Sequence, residues 1–351
     1  MSLEWLQHPV YSLDNVARQE AEARQTVLTK PAGSLGVLET LAIRFSAWQG
    51  VLKPELDNVH ISIFAADHGV AEEGVSAFPQ VVTGEMVKNF VRGGAAISVL
   101  AKENHANLEI IDVGVKYLPE LDNVIHARVA NATQNIVSSD AMDTEQLQRA
   151  LQVGKDAAER AKLSNAQLFI GGEMGIANTT SATAMSCQIL GFSDIAEMTG
   201  AGTGLDKAGI RHKTDVITSI LGRYKKEFKH DDNPLTVLRV MGGFEIAALS
   251  AAYSRCAQLG IPILVDGFIT TAAALLAIKM NKEVEQWMIF SHCSAEAGHT
   301  KILAALGVKP LLNLEMRLGE ASGAAIVIPV IKQALALHNN MATFAEAEVS
   351  S

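Results

Sequence analysis

The chain has 351 residues, of which 48% are hydrophobic and only 5% are aromatic. This length suits one large domain with a smaller partner, and the core must be built from Ala, Val, Ile and Leu. The 38 acidic residues outnumber the 29 basic residues, giving a formal net charge of −9, so the surface repels nucleic acid and anionic lipid.

The first 50 residues mix charged and apolar positions at helical period, so they are predicted to be helical. From residue 60 onward, short β-rich runs end in Gly and in acidic or hydroxyl residues, and a helix follows. These runs are ISIFAADHG (61–69), LEIIDVG (108–114), QLFIGGEMG (167–175), PILVDGF (262–268), MIFSHCSAEAG (288–298) and LLNLEMRLGE (311–320). A last helix is predicted from about 319 to 338, followed by a frayed polar tail.

Strands that alternate with helices predict an α/β fold with a doubly wound, mostly parallel sheet and helices on both faces. The terminal segments, residues 1–55 and about 331–351, are predicted to pair as a small helical domain. Residues 56–330 then form a large α/β domain. Ligands of such sheets bind beyond the carboxyl ends of the strands, where the polar and Gly-rich segments of this chain lie.

The spacing of the cysteines and the length of the apolar segments indicate the cellular compartment of the protein. Cys187, Cys256 and Cys293 lie in apolar surroundings at irregular spacing, which is typical of free thiols in a reducing compartment. The first ten residues do not have the pattern of a signal peptide, and apolar stretches such as 270–278 are too short to cross a bilayer. We expect a cytoplasmic protein with no nucleic-acid or membrane partner.

The first candidate site follows the first β-rich run. Asp67 and His68 are an acid–base pair in one interpretation; in the other, which the residues favour, they satisfy backbone groups at a strand end. Residues 74–83, GVSAFPQVVT, have turn residues around an apolar centre. They are therefore predicted to form a loop that can wall an aromatic ligand.

Two Gly-rich loops are the next candidates. GGEMGIANTTS (171–181) follows a strand and opens a helix, where glycines let the backbone approach a ligand and free N–H groups attract phosphate. A capped helix after a tight turn is the alternative. TGAGTGLD (199–206) matches neither the dinucleotide pattern nor a P-loop, but its glycines can form an anion-binding nest beside a lysine. Together the loops indicate a phosphorylated substrate.

The fourth candidate is Glu320, in the run RLGEASGAA (317–325), at the start of an apolar helix. A carboxylate there ordinarily stabilises the first turn of the helix. A desolvated glutamate at the ligand edge is also a plausible general base. The residues alone slightly favour the first interpretation.

Two other polar clusters do not match known metal sites. His292, Cys293 and His299 lack zinc-site spacing, and residues 231–232 form an acidic pair in a charged turn rather than after a strand. We expect that the protein uses no metal and no cofactor.

Ten stretches together resemble the family of nicotinate-nucleotide–dimethylbenzimidazole phosphoribosyltransferases, which make the lower-ligand nucleotide of cobalamin. They are KPAGSLGVLE (30–39), ADHGVAEEGVSAFPQVVT (66–83), RGGAAISVLA (92–101), IDVGV (111–115), GGEMGIANTTSA (171–182), TGAGTGLD (199–206), GGFEIAAL (242–249), VDGFITTAAALLA (265–277), SHCSAEAGH (291–299) and RLGEASGAA (317–325). They occur in the family's order and extend over nearly the whole chain.

The resemblance implies a homodimer that transfers the phosphoribosyl group of nicotinate mononucleotide to 5,6-dimethylbenzimidazole or a related base. It implies that Glu320 is the general base, and not the helix-stabilising acid that the residues alone slightly favour. It places Ser76, Pro79 and Leu318 in the base pocket and Ser291 near the leaving nicotinate. The other residues implied to bind substrate are Glu173, Gly175, Ile176, Ala177, Asn178, Thr179, Gly202, Thr203, Gly204 and Lys213.

At Glu85 the chain departs from the family pattern, where Gln is expected. In one interpretation Thr83 caps a helix and Glu85 is an acid in its first turn. In the other, Glu85 faces the bound base, and its charge raises the pKa of Glu320 or of Glu85 itself. The two interpretations are weighed equally.

Two other functions stay open at this point. One is a nucleoside or nucleotide hydrolase, in which water replaces the base and no pocket for an aromatic ligand is needed. The other is a nucleotide-sensing protein that binds nicotinate mononucleotide without turnover.

Overall fold

A computed structural model describes residues 3–229 and 231–350 of the chain. Within these ranges the strands are β1 (Val59–Ala66), β2 (Asn107–Gly114), β3 (Val124–His126), β4 (Leu168–Met174), β5 (Ile263–Val265) and β6 (Met288–Phe290). Every neighbouring pair is parallel. The strand order is β3-β2-β1-β4-β5-β6, so the predicted parallel, doubly wound sheet is confirmed.

The α-helices of the described ranges lie on both sides of this sheet or beyond its ends. They are α1 (Asn15–Val27), α2 (Val37–Gln49), α3 (Val81–Arg92), α4 (Ala96–Glu103), α5 (Thr144–Leu163), α6 (Asn178–Leu190), α7 (Ile195–Met198), α8 (Lys207–Phe228), α9 (Pro234–Met241), α10 (Phe244–Leu259), α11 (Phe268–Met280), α12 (His299–Leu306) and α13 (Ser322–Asn340).

The middle of the sheet determines where a ligand can bind. All residues of β1 are buried, as in a parallel strand covered by helices on both faces. Strands β2 and β3 lie on one side of β1, and strands β4, β5 and β6 lie on its other side. The carboxyl ends of β1 and β4 therefore flank the topological switch point, where doubly wound sheets open a crevice for ligands.

The expected elements and the observed elements differ at two places. Strand β3 was not predicted, because it has only three residues at the sheet edge and none of them is buried. The run 311–320 was predicted as a strand, but only an isolated bridge joins Leu312 to His292. This run cannot continue as a strand because the backbone turns left-handed at Glu315, where φ is 55°.

The two ends of the chain lie together. The Arg24 guanidinium of α1 donates to the carbonyl oxygens of His338 and Asn339 at distances of 2.7 and 3.1 Å. Leu28 forms an antiparallel bridge with Thr343, so this part of the polar tail is bonded rather than frayed. Helix α13 runs without a break through residue 331. The predicted division of the chain into two domains stays a prediction.

No helix in the described ranges is long and apolar enough to cross a membrane.

Candidate active site

A cavity of about 400 Å³ lies at the carboxyl edge of the sheet, beside the switch point. Its wall includes many of the residues that the sequence singled out: Ser76, Glu173, Gly175, Ile176, Ala177, Asn178, Thr179, Gly202, Thr203, Leu318 and Glu320. The remaining predicted site residues are not part of the wall: Pro79, Glu85, Gly204, Lys213 and Ser291. Segments far apart in the sequence therefore meet around one space.

One end of the cavity is formed by the turn between β4 and α6. Ala177 precedes α6 in a left-handed conformation, with φ of 75°, and no side chain caps the helix. The N–H groups of Asn178 and Thr180 donate within the turn, to the carbonyl oxygens of Gly175 and Ala177, but the start of the helix still carries partial positive charge. Because this turn belongs to the cavity wall, it suits a phosphate group.

The second Gly-rich loop lies beside this turn, and Lys213 joins the two. Lys213, on α8, is only 1% exposed, and its Nζ donates to Thr179 Oγ1 at 2.6 Å. A Cβ atom on Gly202 would lie 3.1 Å from the same Nζ. Desolvation lowers the pKa of Lys213 to about 8, although the charge of Glu296 acts in the opposite direction. The ammonium group therefore lies behind both loops, where an anion would stabilise its charge.

The loop 74–80 is held against the same region. Thr203 Oγ1 is 3.0 Å from Ser76 Oγ and accepts a hydrogen bond from the Ala77 N–H at 2.9 Å. Phe78 extends the wall and is 52% exposed. Thus the 199–206 loop and the loop predicted to wall an aromatic ligand are connected directly.

The apolar end of the wall includes Val75, Val82, Met86 and Leu318. Pro79, which the resemblance places in the base pocket, is exposed and outside this wall. The apolar side chains offer a surface on which a flat aromatic ring can pack.

Glu320 is part of the cavity wall and lies on an unusual stretch of backbone. Gly319, Glu320 and Ala321 all have positive φ, at 87°, 59° and 65°, although non-glycine residues rarely adopt this conformation. The Glu320 side chain is buried, and its Oε2 has no hydrogen-bond partner among the described residues. Burial raises the pKa of Glu320, while a hydrogen bond from the Ile97 backbone lowers it. A carboxylate on strained backbone, with one buried oxygen that lacks a partner, is typical of functional sites.

The stabilising-acid interpretation of Glu320 is wrong, because Asp266 occupies that position. Helix α13 begins at Ser322, two residues after Glu320, and the Ala324 N–H donates to Asp266 Oδ1 at 2.7 Å. Asp266 directly follows β5, and burial raises its pKa to about 7 despite hydrogen bonds from the first turn of α13. Asp266 is not among the predicted site residues, although its position directly after a β-rich run is a sequence signal for this edge of the sheet.

Glu173, near the end of β4, completes a group of buried carboxyls. The side-chain amide of Asn178 donates to Glu173 Oε2. Desolvation, reinforced by the charge of Glu245, raises the pKa of Glu173 to about 8, so this carboxyl is mostly protonated at neutral pH. Asp266 and Glu320 act in the same direction. The site can therefore hold several carboxyls without all of them being charged.

Asp67 and His68 lie behind the site and not in its wall. Thr83 donates to Asp67 Oδ1 at 2.6 Å, and His68 Nε2 is 2.6 Å from Glu245 Oε1. Both residues are fully buried. Asp67 Oδ2 also accepts a hydrogen bond from the Lys116 N–H at 2.9 Å, as the interpretation favoured by the sequence expects. The His68 ring, however, contacts the side chains of Glu245 and Ser181 instead of backbone groups.

Glu85 is exposed and is not part of the cavity wall, whereas its neighbour Met86 is. Helix α3 begins at Val81 and has no acidic residue in its first turn. The expectation that Thr83 caps this helix with Glu85 in the first turn is therefore wrong. Thr83 lies inside the helix. Its hydroxyl donates to Asp67 Oδ1 and accepts a hydrogen bond from the Ile176 N–H at 3.2 Å.

Ser291 is buried one residue before the wall, and its hydroxyl donates to the Asp266 carbonyl oxygen at 2.9 Å. His292, Ser294 and Glu296, which follow it, belong to the wall. In the described part of the chain, no group of three or more His, Cys, Asp or Glu side chains is placed to hold a metal ion.

Comparison with known proteins identifies the family. A family model described as phosphoribosyltransferase matches residues 10–349. The nicotinate-nucleotide–dimethylbenzimidazole phosphoribosyltransferase of Ectopseudomonas mendocina is 53% identical, covering 100% of this chain and 99% of the relative. The enzyme of the same name from Pseudomonas putida KT2440 is 52% identical over the same shares. The chain belongs to this family.

A solved structure agrees with this assignment. The crystal structure of nicotinate-nucleotide–dimethylbenzimidazole phosphoribosyltransferase from Thermus thermophilus superposes with a TM-score of 0.89 at 40% identity. The match covers 96% of this chain and 99% of that one. The resemblance seen in the sequence is therefore confirmed, and the cavity belongs to a phosphoribosyltransferase.

Proposed function

We propose that the chain transfers the phosphoribosyl group of nicotinate mononucleotide to 5,6-dimethylbenzimidazole or a related base. The products are α-ribazole 5′-phosphate and nicotinate, and the reaction serves assembly of the nucleotide loop of cobalamin. One observation carries this proposal: a single cavity is lined by a helix start without a side-chain cap, by apolar side chains and by Glu320, whose buried Oε2 has no hydrogen-bond partner among the described residues, and Lys213 lies behind its two Gly-rich loops.

The phosphate of the nucleotide binds at the turn before α6 and at the 199–206 loop, with Lys213 supplying positive charge. The turn contributes five residues to the cavity wall: Gly175, Ile176, Ala177, Asn178 and Thr179. The loop contributes Gly202 and Thr203. Gly204 lies on the exposed side of the second loop. Anchoring the phosphate leaves the ribose directed toward Glu320.

The base binds against the apolar end, near Ser76 and Leu318. One benzimidazole nitrogen attacks the anomeric carbon, and the bond between that carbon and the pyridinium nitrogen breaks. The bonding electron pair goes to the pyridine ring, which leaves uncharged at its nitrogen and needs no acid. Glu320 takes the proton from the other benzimidazole nitrogen. Burial raises the pKa of Glu320, and this makes it a stronger proton acceptor.

Attack opposite the leaving group inverts the anomeric carbon, so a β-nucleotide gives an α-ribotide. Glu173 is mostly neutral at pH 7, so it can lie beside Glu320 without adding a second full charge. Holding the two substrates in line supplies much of the remaining rate advantage. Ser291, behind His292, supports the side of the cavity from which nicotinate leaves.

The test is to incubate the protein with nicotinate mononucleotide and dimethylbenzimidazole and to measure free nicotinate and the ribotide by chromatography. Both products are expected in equal amounts, with EDTA present or absent. Nicotinate released without the base would instead indicate a hydrolase. Nucleotide binding by calorimetry without product would indicate a sensing protein. Activity that returns only with added magnesium contradicts the metal-free mechanism.

We also propose that the enzyme is a cytoplasmic homodimer. The family resemblance supports the dimer, and the free state of Cys187, Cys256 and Cys293 supports a reducing compartment. Light scattering coupled to size-exclusion chromatography tests the dimer, for which about twice the chain mass of 37.4 kDa is expected.

A further inference from the structure

His292 is a buried histidine that contributes to the cavity wall and that the mechanism above does not use. It follows β6 by two residues and is 4% exposed. A Cβ atom on Gly323 would meet its ring, and one on Gly267 would lie 3.4 Å from its Cε1. Gly323 therefore leaves room for the ring, whereas a side chain at Gly267 would make only ordinary contact with it.

The hydrogen bonds of its neighbour determine which ring nitrogen carries the proton. The Ser291 hydroxyl has one proton, and it donates this proton to the Asp266 carbonyl oxygen at 2.9 Å, since a carbonyl can only accept. His292 Nδ1 lies 3.1 Å from the same hydroxyl oxygen, so Nδ1 must be the donor of that bond. Burial lowers the pKa of His292, and the ring is therefore neutral with a bare Nε2.

His292 belongs to the cavity wall, and Nε2 is the polar atom of its ring that is left for a ligand. No group within residues 3–229 and 231–350 forms a hydrogen bond with it. A largely desolvated acceptor without a donor is unfavourable, so a ligand that brings a hydroxyl donor to this point gains affinity. An anionic group at the same point would meet a lone pair and be disfavoured.

The position of His292 in the cavity identifies the part of the substrate that reaches it. On one side it contacts Gly323, in the first turn of α13, three residues after Glu320. On the other side the wall continues through Ser294 to Glu296, whose carboxylate a Cβ atom on Gly200 would meet. His292 thus lies on the wall between Glu320 and the phosphate loops, and the part of the nucleotide that extends between these points and carries hydroxyl donors is the ribose.

We propose that His292 Nε2 accepts a hydrogen bond from a ribose hydroxyl of the phosphoribosyl donor, making His292 a residue that selects ribose over deoxyribose. This inference rests on the proposed function. Ser291 acts through His292, because it fixes the Nδ1–H tautomer that leaves Nε2 free to accept.

The experiment compares kcat/KM for nicotinate mononucleotide with that for its 2′-deoxy and 3′-deoxy analogues. The wild-type enzyme is expected to use one analogue roughly 10- to 100-fold less well. His292→Phe, which keeps a ring but removes the acceptor, should lose a similar factor on the natural donor and no longer discriminate against that analogue. His292→Gln, which keeps an acceptor, should retain part of the discrimination. His126→Phe, on the exposed edge strand, is the matched control and should behave as wild type.

The proposal is overturned if folded His292→Phe keeps the wild-type ratio of kcat/KM for nicotinate mononucleotide to kcat/KM for each of the two analogues. If that variant does not fold, ¹⁵N NMR of histidine-labelled wild-type enzyme decides: the Nδ1–H tautomer is expected, with an Nε2 resonance that shifts when nicotinate mononucleotide binds. The Nε2–H tautomer, or no shift, contradicts the assignment. Absence of nicotinate release by wild-type enzyme would refute the proposed function instead, so the two failures are distinct.

Discussion

The carboxyl group of Glu173 lies against Gly319, so close that a Cβ atom at position 319 would meet its Oε1. Gly319 also has a φ of 87°, which glycine adopts far more readily than other residues. The last residue before Glu320 therefore has no side chain for two reasons, one of backbone conformation and one of space. The positions of two carboxyls in the cavity wall, those of Glu173 and Glu320, therefore depend on the same glycine.

Gly319→Ala should lower the free energy of unfolding by about 1–2 kcal/mol from backbone strain alone, and should also displace Glu173 and reduce turnover. The control is Gly307→Ala, at φ 70° with nothing within 4 Å of the added Cβ. Thermal unfolding and steady-state kinetics of both variants check this. Equal turnover in the two variants would show that the contact with Glu173 has no catalytic consequence.

Glu320→Gln and Glu320→Ala should keep the fold and nucleotide binding but reduce kcat by about 10²- to 10⁴-fold, as expected for loss of a general base. Glu315→Gln is the matched control, because Glu315 is exposed and outside the cavity wall. Nicotinate release under saturating substrates is the measurement. Near-normal turnover in Glu320→Ala would remove this residue from the mechanism.

Lys213→Ala should raise the KM for nicotinate mononucleotide far more than the KM for the base. Because the pKa of Lys213 is lowered to about 8, the wild-type KM for the nucleotide should also rise as the pH passes about 8, where the ammonium loses its charge. Lys207→Ala, at the exposed start of α8, serves as control. If nicotinate riboside competes as well as the nucleotide, the loops do not bind phosphate.

Glu173→Gln should change the pH dependence of stability. The pKa of Glu173 is raised from 4.5 to about 8 in the folded protein, so the unfolded chain releases this proton at lower pH than the folded one. Ionisation therefore favours unfolding as the pH rises from about 4.5 to about 8. The Tm of wild type should fall more steeply over this window than the Tm of Glu173→Gln. Parallel Tm curves would mean that Glu173 ionises normally.

Glu85→Gln should leave the pH–rate profile and the preference among ring-substituted benzimidazoles unchanged, because Glu85 is exposed and outside the cavity wall. The measurement is kcat/KM for several bases across pH. A profile whose acidic limb moves downward would show that the Glu85 carboxylate acts on the bound base after all.

The fold class, the Gly-rich loops and the family can all be predicted from the sequence alone. The alternation of apolar runs with helical segments predicts the parallel sheet, because both periods are local properties of the chain. The runs at 171–181 and 199–206 predict phosphate-binding backbone for the same reason, since glycine acts on its own φ. Ten stretches in the family's order identify the phosphoribosyltransferase, and one of them predicts Glu320 as the general base.

The tertiary structure alone decided which of these residues face one another. Asp266 replaces Glu320 as the acid at the start of α13, and Glu85 lies outside the cavity although its neighbour Met86 lines it. The raised pKa of Glu173 has no sequence signal, because it comes from burial beside carboxyls more than 70 residues away in the chain. Such effects depend on the order of the strands and the direction of each side chain, and these are set only when distant segments pack together.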